Sequence, residues 1–256
     1  MKPRFFIIGD SHAGTLMRAA RRLRLDFAGG SIMAGHYMNE AFFRIENGRF
    51  EVLLEKGVPR LAKRLAEAGL GDNLLDLDMP ILSTIGFNTG VFTGRFLNEG
   101  LAIAGSPGEK FISAACFETL VEDTRCGALE FYRVLKQAGK TVYAAPAPQR
   151  FDRDRETVFK AFDAVMIRRM SEMGVGVVDV RAETTGRDGV LRPEFASSRD
   201  RVHANDAFGE IVFAKFFEML SRDTQAPRLP AGGVQPARPA PRAQRPNRVP
   251  VSRPHR

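Results

Sequence analysis

Three short segments hold residue types that could carry out acyl-transfer chemistry. Gly9-Asp10-Ser11-His12 follows the apolar run Phe5-Phe6-Ile7-Ile8. Gly86-Phe87-Asn88 follows a second apolar run over 79–85, and Asp200-Arg201-Val202-His203 precedes a Phe-rich helical pattern that begins near 207. A serine hydroxyl is a poor nucleophile at neutral pH. It needs a base within hydrogen-bond reach, and the base needs an acceptor to orient it. An Asp three residues before a His in a loop can aim its carboxylate at the imidazole N–H. An Asn side chain can donate to a developing oxyanion, and so can the backbone N–H of a Ser at a helix N-terminus, helped by the helix dipole. Each segment alone also has a plain structural reading. Ser11 could cap a helix, Asn88 could stabilise a turn, and Asp200 and His203 could be an exposed carboxylate and a capping imidazole. Together, the three are far more specific than any one.

These segments need a scaffold that brings them together. The chain alternates strand and helix patterns: a buried strand over 4–9, a helix over 14–24, and a short strand over 25–28 that ends in Gly29-Gly30. Asn47-Gly48 between alternating apolar residues predicts a β-hairpin over 42–53. Helices are expected over 59–68, 109–138 (with Gly127 as a break), 153–173 and 207–220, and strands over 79–85, 141–145 and 175–180. Such alternation predicts an α/β domain with a mainly parallel sheet. Ligands of such sheets bind beyond the carboxyl ends of the strands. Chemistry should therefore lie just after a strand, as Ser11 and Asn88 do.

The blocks Gly9-Asp10-Ser11, Gly86-Phe87-Asn88 and Asp200 to His203 resemble the SGNH/GDSL hydrolase superfamily, in order and across nearly all of 9–203. The resemblance implies a flavodoxin-like three-layer α/β/α sandwich. It implies Ser11 as nucleophile, His203 as general base and then acid, and Asp200 as the residue that orients His203. The oxyanion hole would comprise the Ser11 N–H, a glycine N–H and the Asn88 side chain. Gly30 is the chosen glycine, with Gly29 and Gly35 as alternatives. The implied activity is hydrolysis of an acyl ester, acetyl foremost, on a small molecule or carbohydrate. An O-acyltransferase or a non-catalytic carbohydrate-binding or interaction domain of the same fold are the alternatives. The family usually has Asp after the Asn, where this chain has Thr89. Ser11 is followed by His12, as in some relatives that act on acylated carbohydrates. His12 and His36 are expected to pack or bond locally.

Composition narrows the remaining classes. The chain has 256 residues, 44% hydrophobic and 27% charged, values ordinary for a soluble globular protein. No apolar run approaches the roughly 20 residues of a membrane span. The first apolar run is too short for a signal peptide, and a cytoplasmic location is expected. The net charge of +8 is concentrated at the end: from Asp223 on there are seven Arg and one acidic residue. The segment 223–256, rich in Pro and Arg, is expected to be disordered, to bind polyanions weakly and to follow a domain over 1–222. A variable insertion over 31–72 is expected to shape substrate access. Cys116 and Cys126 read as buried reduced thiols. No phosphate-binding Gly-rich loop and no metal-ligand spacing is present in the sequence, so the expected mechanism uses neither metal nor cofactor.

Overall fold

A run of apolar residues buried on both faces is the mark of a central parallel strand, and β1 (Phe5–Gly9) is one. A computed structural model of the chain describes residues 4–67, 69 and 71–225. In chain order, β1 is followed by α1 (Ala13–Arg22), β2 (Phe27–Ser31), a hairpin of β3 (Phe43–Glu46) and β4 (Arg49–Val52), α2 (Val58–Glu67) and β5 (Ile81–Ser83). Next come α3 (Thr89–Asn98), the two-residue strands β6 (Leu101–Ala102) and β7 (Lys110–Phe111), α4 (Ala114–Thr124) and α5 (Cys126–Gln137). The chain continues through β8 (Val142–Ala144), α6 (Glu156–Glu172), β9 (Gly176–Val177), the single turn α7 (Arg181–Thr184) and α8 (Asp206–Gln225).

The central sheet runs β2-β1-β5-β8-β9, and every pairing in it is parallel. Counting only its own strands, the order is 2-1-3-4-5, the flavodoxin-like order. Successive side chains of β1 serve opposite layers. Phe5 and Ile7 pack with Leu16 of α1 and with Phe213 and Phe216 of α8. Phe6 and Ile8 join the core built from the other helices, with Phe131 of α5 and Phe162 of α6. Full burial of each such side chain stabilises the fold by about 1.5–3 kcal/mol. The result is the expected α/β/α sandwich.

The hairpin forms where Asn47-Gly48 places it. Both residues have positive φ (51° and 74°), as a two-residue turn of this hand requires. Phe43 and Phe50 stack across it at 4.6 Å, and both meet the Phe131 ring edge-on.

Several features differ from expectation. Residues 109–138 are not one helical region broken at Gly127. Ser113 caps α4 by accepting from the Cys116 N–H, and the break falls at Arg125, with φ −125° and ψ 15°. Gly127 instead allows close approach, since a Cβ there would lie 1.7 Å from the Glu40 carbonyl oxygen. Helix α3 was not expected, because Gly90 and Gly94 lower local helix propensity. Its core contacts through Phe92 and Phe96 override that. Both cysteines are exposed rather than buried. Finally, α8 runs through Gln225, and the Tyr143 hydroxyl donates to Asp223, so the helix passes the expected boundary at 222. The rest of the Pro/Arg-rich tail lies outside the described residues. Among those described, no helix is long and apolar enough to cross a membrane.

Candidate active site

The sheet order reverses between β1 and β5, and the crevice beyond their carboxyl ends is where such folds bind ligands. Ser11 follows β1 and Asn88 follows β5. The two loops interlock. A Cβ on Gly9 would fall 2.0 Å from Thr84 Oγ1, so only glycine lets the chains meet there. The buried Asp10 carboxylate accepts from Thr84 Oγ1 (3.0 Å) and from the His12 N–H (2.9 Å). These bonds fold the turn back on itself and leave Ser11 exposed at its tip, ahead of α1.

His203 reaches the same point from the other end of the chain. Its Nε2 lies 2.8 Å from Ser11 Oγ. Its Nδ1 lies 3.1 Å from Asp200 Oδ1. Asp200 accepts at one oxygen, so Nδ1 carries the proton and Nε2 is left to accept from the serine hydroxyl. The same Asp200 Oδ1 takes the backbone N–H groups of His203 (2.7 Å) and Val202 (2.8 Å). Chiefly through the His203 N–H, these bonds pull the Asp200 pKa down to about 2, against a smaller opposing effect of burial. Capping of α8 falls to Asn205, whose side chain accepts from Ala207 and Phe208. His203 is therefore not spent on the cap.

Asn88 sits at the N-terminus of α3 but makes no side-chain cap bond. Its Nδ2 donates to Asn39 Oδ1 (3.1 Å). Asn39 is fixed in turn by the Gly127 N–H on its carbonyl oxygen (3.0 Å). Behind Asn88 lies the fully buried Arg125, its guanidinium over the Phe162 ring at 4.9 Å. Desolvation lowers the Arg125 pKa to about 10.

Gly30 is not brought to this point. Gly29 and Gly30 lie inside β2, paired with Ile7 and Ile8. They are glycines for packing: a Cβ would strike the Ile7 carbonyl at 2.0 Å or Met17 Sδ at 2.4 Å. The glycine beside Ser11 and Asn88 is Gly35, where a Cβ would lie 2.6 Å from Asp10 Oδ2 and 3.0 Å from Asn88 Cβ. Gly35 opens a short 3-10 turn (Gly35–Met38), and the first N–H groups of such a turn have no partner within it. A cavity of about 920 Å³ is lined by Ser11, Gly35, Asn88, Phe151, Arg155 and Val202 among others. His36 also lines it. The His12 ring packs 4.9 Å from that of His203, and burial lowers the His12 pKa, so this second imidazole is neutral at neutral pH.

Several residues with no local motif hold this arrangement. Arg150 Nη1 donates to the carbonyl oxygens of His203 (2.6 Å), Asp200 (2.9 Å) and Ser197 (3.3 Å), so it clasps the loop that carries Asp200 and His203. The buried Asp163 accepts from Thr89 Oγ1 (2.8 Å) and Gln149 Nε2 (2.6 Å). It thereby ties the Asn88 loop to the loop bearing Arg150. Burial raises the Asp163 pKa to about 6, although both bonds favour the ionised form. The only hint of Arg150 in sequence is its place just past a strand and Pro146-Ala147-Pro148.

If Ser11, His203 and Asp200 act together on an ester, Arg150→Met should lower kcat by roughly 10- to 100-fold, because small displacements of a reacting group cost that much. KM should change little. Steady-state kinetics alongside a melting curve checks this, and Arg150→Lys should recover part of kcat.

No family model matches the chain, and no curated protein does. Several solved structures are similar to it. One is a candidate acylhydrolase from Bacteroides fragilis, at 11% identity over 88% of this chain and 91% of that one, with a TM-score of 0.48. A GDSL-like lipase from Bacteroides thetaiotaomicron has 11% identity over 86% and 89%, at 0.46. A variant of an acetyl-xylooligosaccharide esterase from Geobacillus has 14% identity over 84% and 93%, at 0.44.

Proposed function

We propose that this chain is a serine esterase of the SGNH/GDSL type. The observation that carries the reading is the single imidazole of His203 bridging Ser11 Oγ and Asp200 at the crevice beyond β1 and β5. In this mechanism Ser11 Oγ attacks the acyl carbon while His203 Nε2 takes its proton. The imidazolium so formed is stabilised by Asp200 and then protonates the departing alcohol. Water, deprotonated by the same nitrogen, releases the acyl group from Ser11. The oxyanion donors are the Ser11 N–H, the Asn88 amide and the Gly35 N–H in place of Gly30. The acyl group is short, acetyl foremost, and the alcohol is a small molecule or a carbohydrate, for which the cavity has room. Hydrolysis is favoured over acyl transfer because Ser11 is exposed, whereas a transferase must keep water from its acyl-enzyme.

The test is a panel of aryl esters of increasing acyl length and of acetylated sugars, comparing the intact chain with Ser11→Ala. Loss of all turnover in Ser11→Ala supports the reading; equal turnover sinks it. Asn88→Ala removes one oxyanion donor and should reduce kcat by roughly 100- to 1,000-fold while leaving measurable activity. A change below threefold would remove Asn88 from the oxyanion hole.

A further inference from the structure

Three arginines line the cavity beside Ser11: Arg150, Arg155 and Arg201. Their situations differ. Arg150 is taken up by three carbonyl oxygens. The Arg155 side chain has no ion pair and no hydrogen bond among the described residues, and its Nε is shut off from solvent without an acceptor. Arginines elsewhere commonly have carboxylate partners, as in Arg18–Asp206, Arg169–Glu122 and Arg181–Asp179. The two carboxylates lining the cavity do not answer Arg155. Asp10 is committed to Thr84 and the His12 N–H, and Asp152 is exposed and makes no ion pair with it. The guanidinium lies beside Gly94 of α3, where a Cβ would be in ordinary contact with Arg155 Nη1 at 3.6 Å. Arg201, between Asp200 and His203, adds an exposed positive charge on the same cavity, without an ion pair among the described residues.

A shielded guanidinium donor without an acceptor is costly, and the cost is relieved by a ligand that supplies oxygens. The planar fork of an arginine matches a carboxylate or phosphate bidentately. We propose that the cavity recognises an anionic group on the ester, a carboxylate or phosphate, with Arg155 as its counter-ion. This rests on the esterase reading and narrows its substrate class to esters that carry a negative charge away from the scissile bond. Arg155 is a specificity residue here and takes no part in the chemical steps.

The test uses two matched pairs of esters. In one the charge is on the acyl part: the 4-nitrophenyl ester of butyrate against that of hemisuccinate. In the other it is on the alcohol: acetylated methyl glucoside against acetylated glucuronic acid. The anionic member of at least one pair should have a kcat/KM at least tenfold higher. Arg155→Gln should collapse that ratio toward one, and Arg155→Lys should restore part of it. Circular dichroism checks that each variant is folded. A second measurement needs no turnover: calorimetric titration of Ser11→Ala with succinate, glucuronate and inorganic phosphate. Binding of one of these anions, lost in the double variant with Arg155→Gln, supports the proposal. Equal handling of both members of both pairs, a ratio unmoved by Arg155→Gln, or no binding of any of the three anions overturns it. The esterase reading itself fails separately, if Ser11→Ala leaves turnover of the neutral esters intact.

Discussion

Ser11→Ala should abolish hydrolysis of an activated acetyl ester, with a loss on the order of 10⁵- to 10⁶-fold in kcat. Ser11 Oγ is the hydroxyl that His203 Nε2 meets, at 2.8 Å, and it stands exposed at the mouth of the cavity. His203→Ala should be about as severe, because a nucleophile without its base gains little from the remaining groups. The double variant should be scarcely worse than either single one, since residues acting as a unit lose activity non-additively. Ser11 lies at the tip of a turn whose shape is held by Asp10 and Thr84, so both variants should fold normally. The measurement is burst and steady-state release of 4-nitrophenol, with circular dichroism on each variant. If folded Ser11→Ala turns over at the wild-type rate, Ser11 is not the nucleophile and the esterase reading is lost.

Asp200→Asn should cost on the order of 10⁴-fold in kcat, the scale for losing the orienting carboxylate of a triad. The amide keeps the shape, and its oxygen can still accept the Val202 and His203 N–H groups. It cannot offer a negative charge to the imidazolium, and it can present an N–H to Nδ1, which would favour the wrong tautomer. The substitution also has a signature in stability. The folded-state pKa of Asp200 lies below the unfolded value, so its contribution is fully present above pH about 4 and is lost as pH falls toward 2. Wild type should therefore lose melting temperature between pH 4 and 2 more steeply than Asp200→Asn. Identical acid limbs in the two proteins would show that the carboxylate bonds add nothing to the fold.

What could be read from the sequence was local. The apolar run at residues 5–8 has the character of a strand buried on both faces whatever surrounds it. Asn47-Gly48 favours positive φ at two adjacent positions and so dictates its hairpin turn. Asp200 and His203 are three residues apart, and the bond between their side chains closes within one loop. The glycine that lies beside Asp10 and Asn88 could not be found this way. Gly29-Gly30 has the composition of a loop, yet parallel pairing to Ile7 and Ile8 and the closeness of Met17 keep both inside β2. Gly35 comes into place only because the chain after β2 turns back over Asp10 and Asn88.

The bracing residues were equally invisible. Asn39 meets Asn88 across 49 positions, Arg150 meets the His203 carbonyl across 53, and Asp163 meets Thr89 across 74. No periodicity or propensity encodes such contacts, because they exist only after the sheet has brought the ends of its strands together. Helix α3 depends on the same assembly: two glycines weaken it locally, and the burial of Phe92 and Phe96 against α4 and α6 holds it. The types of chemical group near the site were thus set by short-range sequence. Which of them face one another was decided by tertiary packing, since a hydrogen bond needs its two atoms within about 3 Å and only the folded core fixes distances between remote segments.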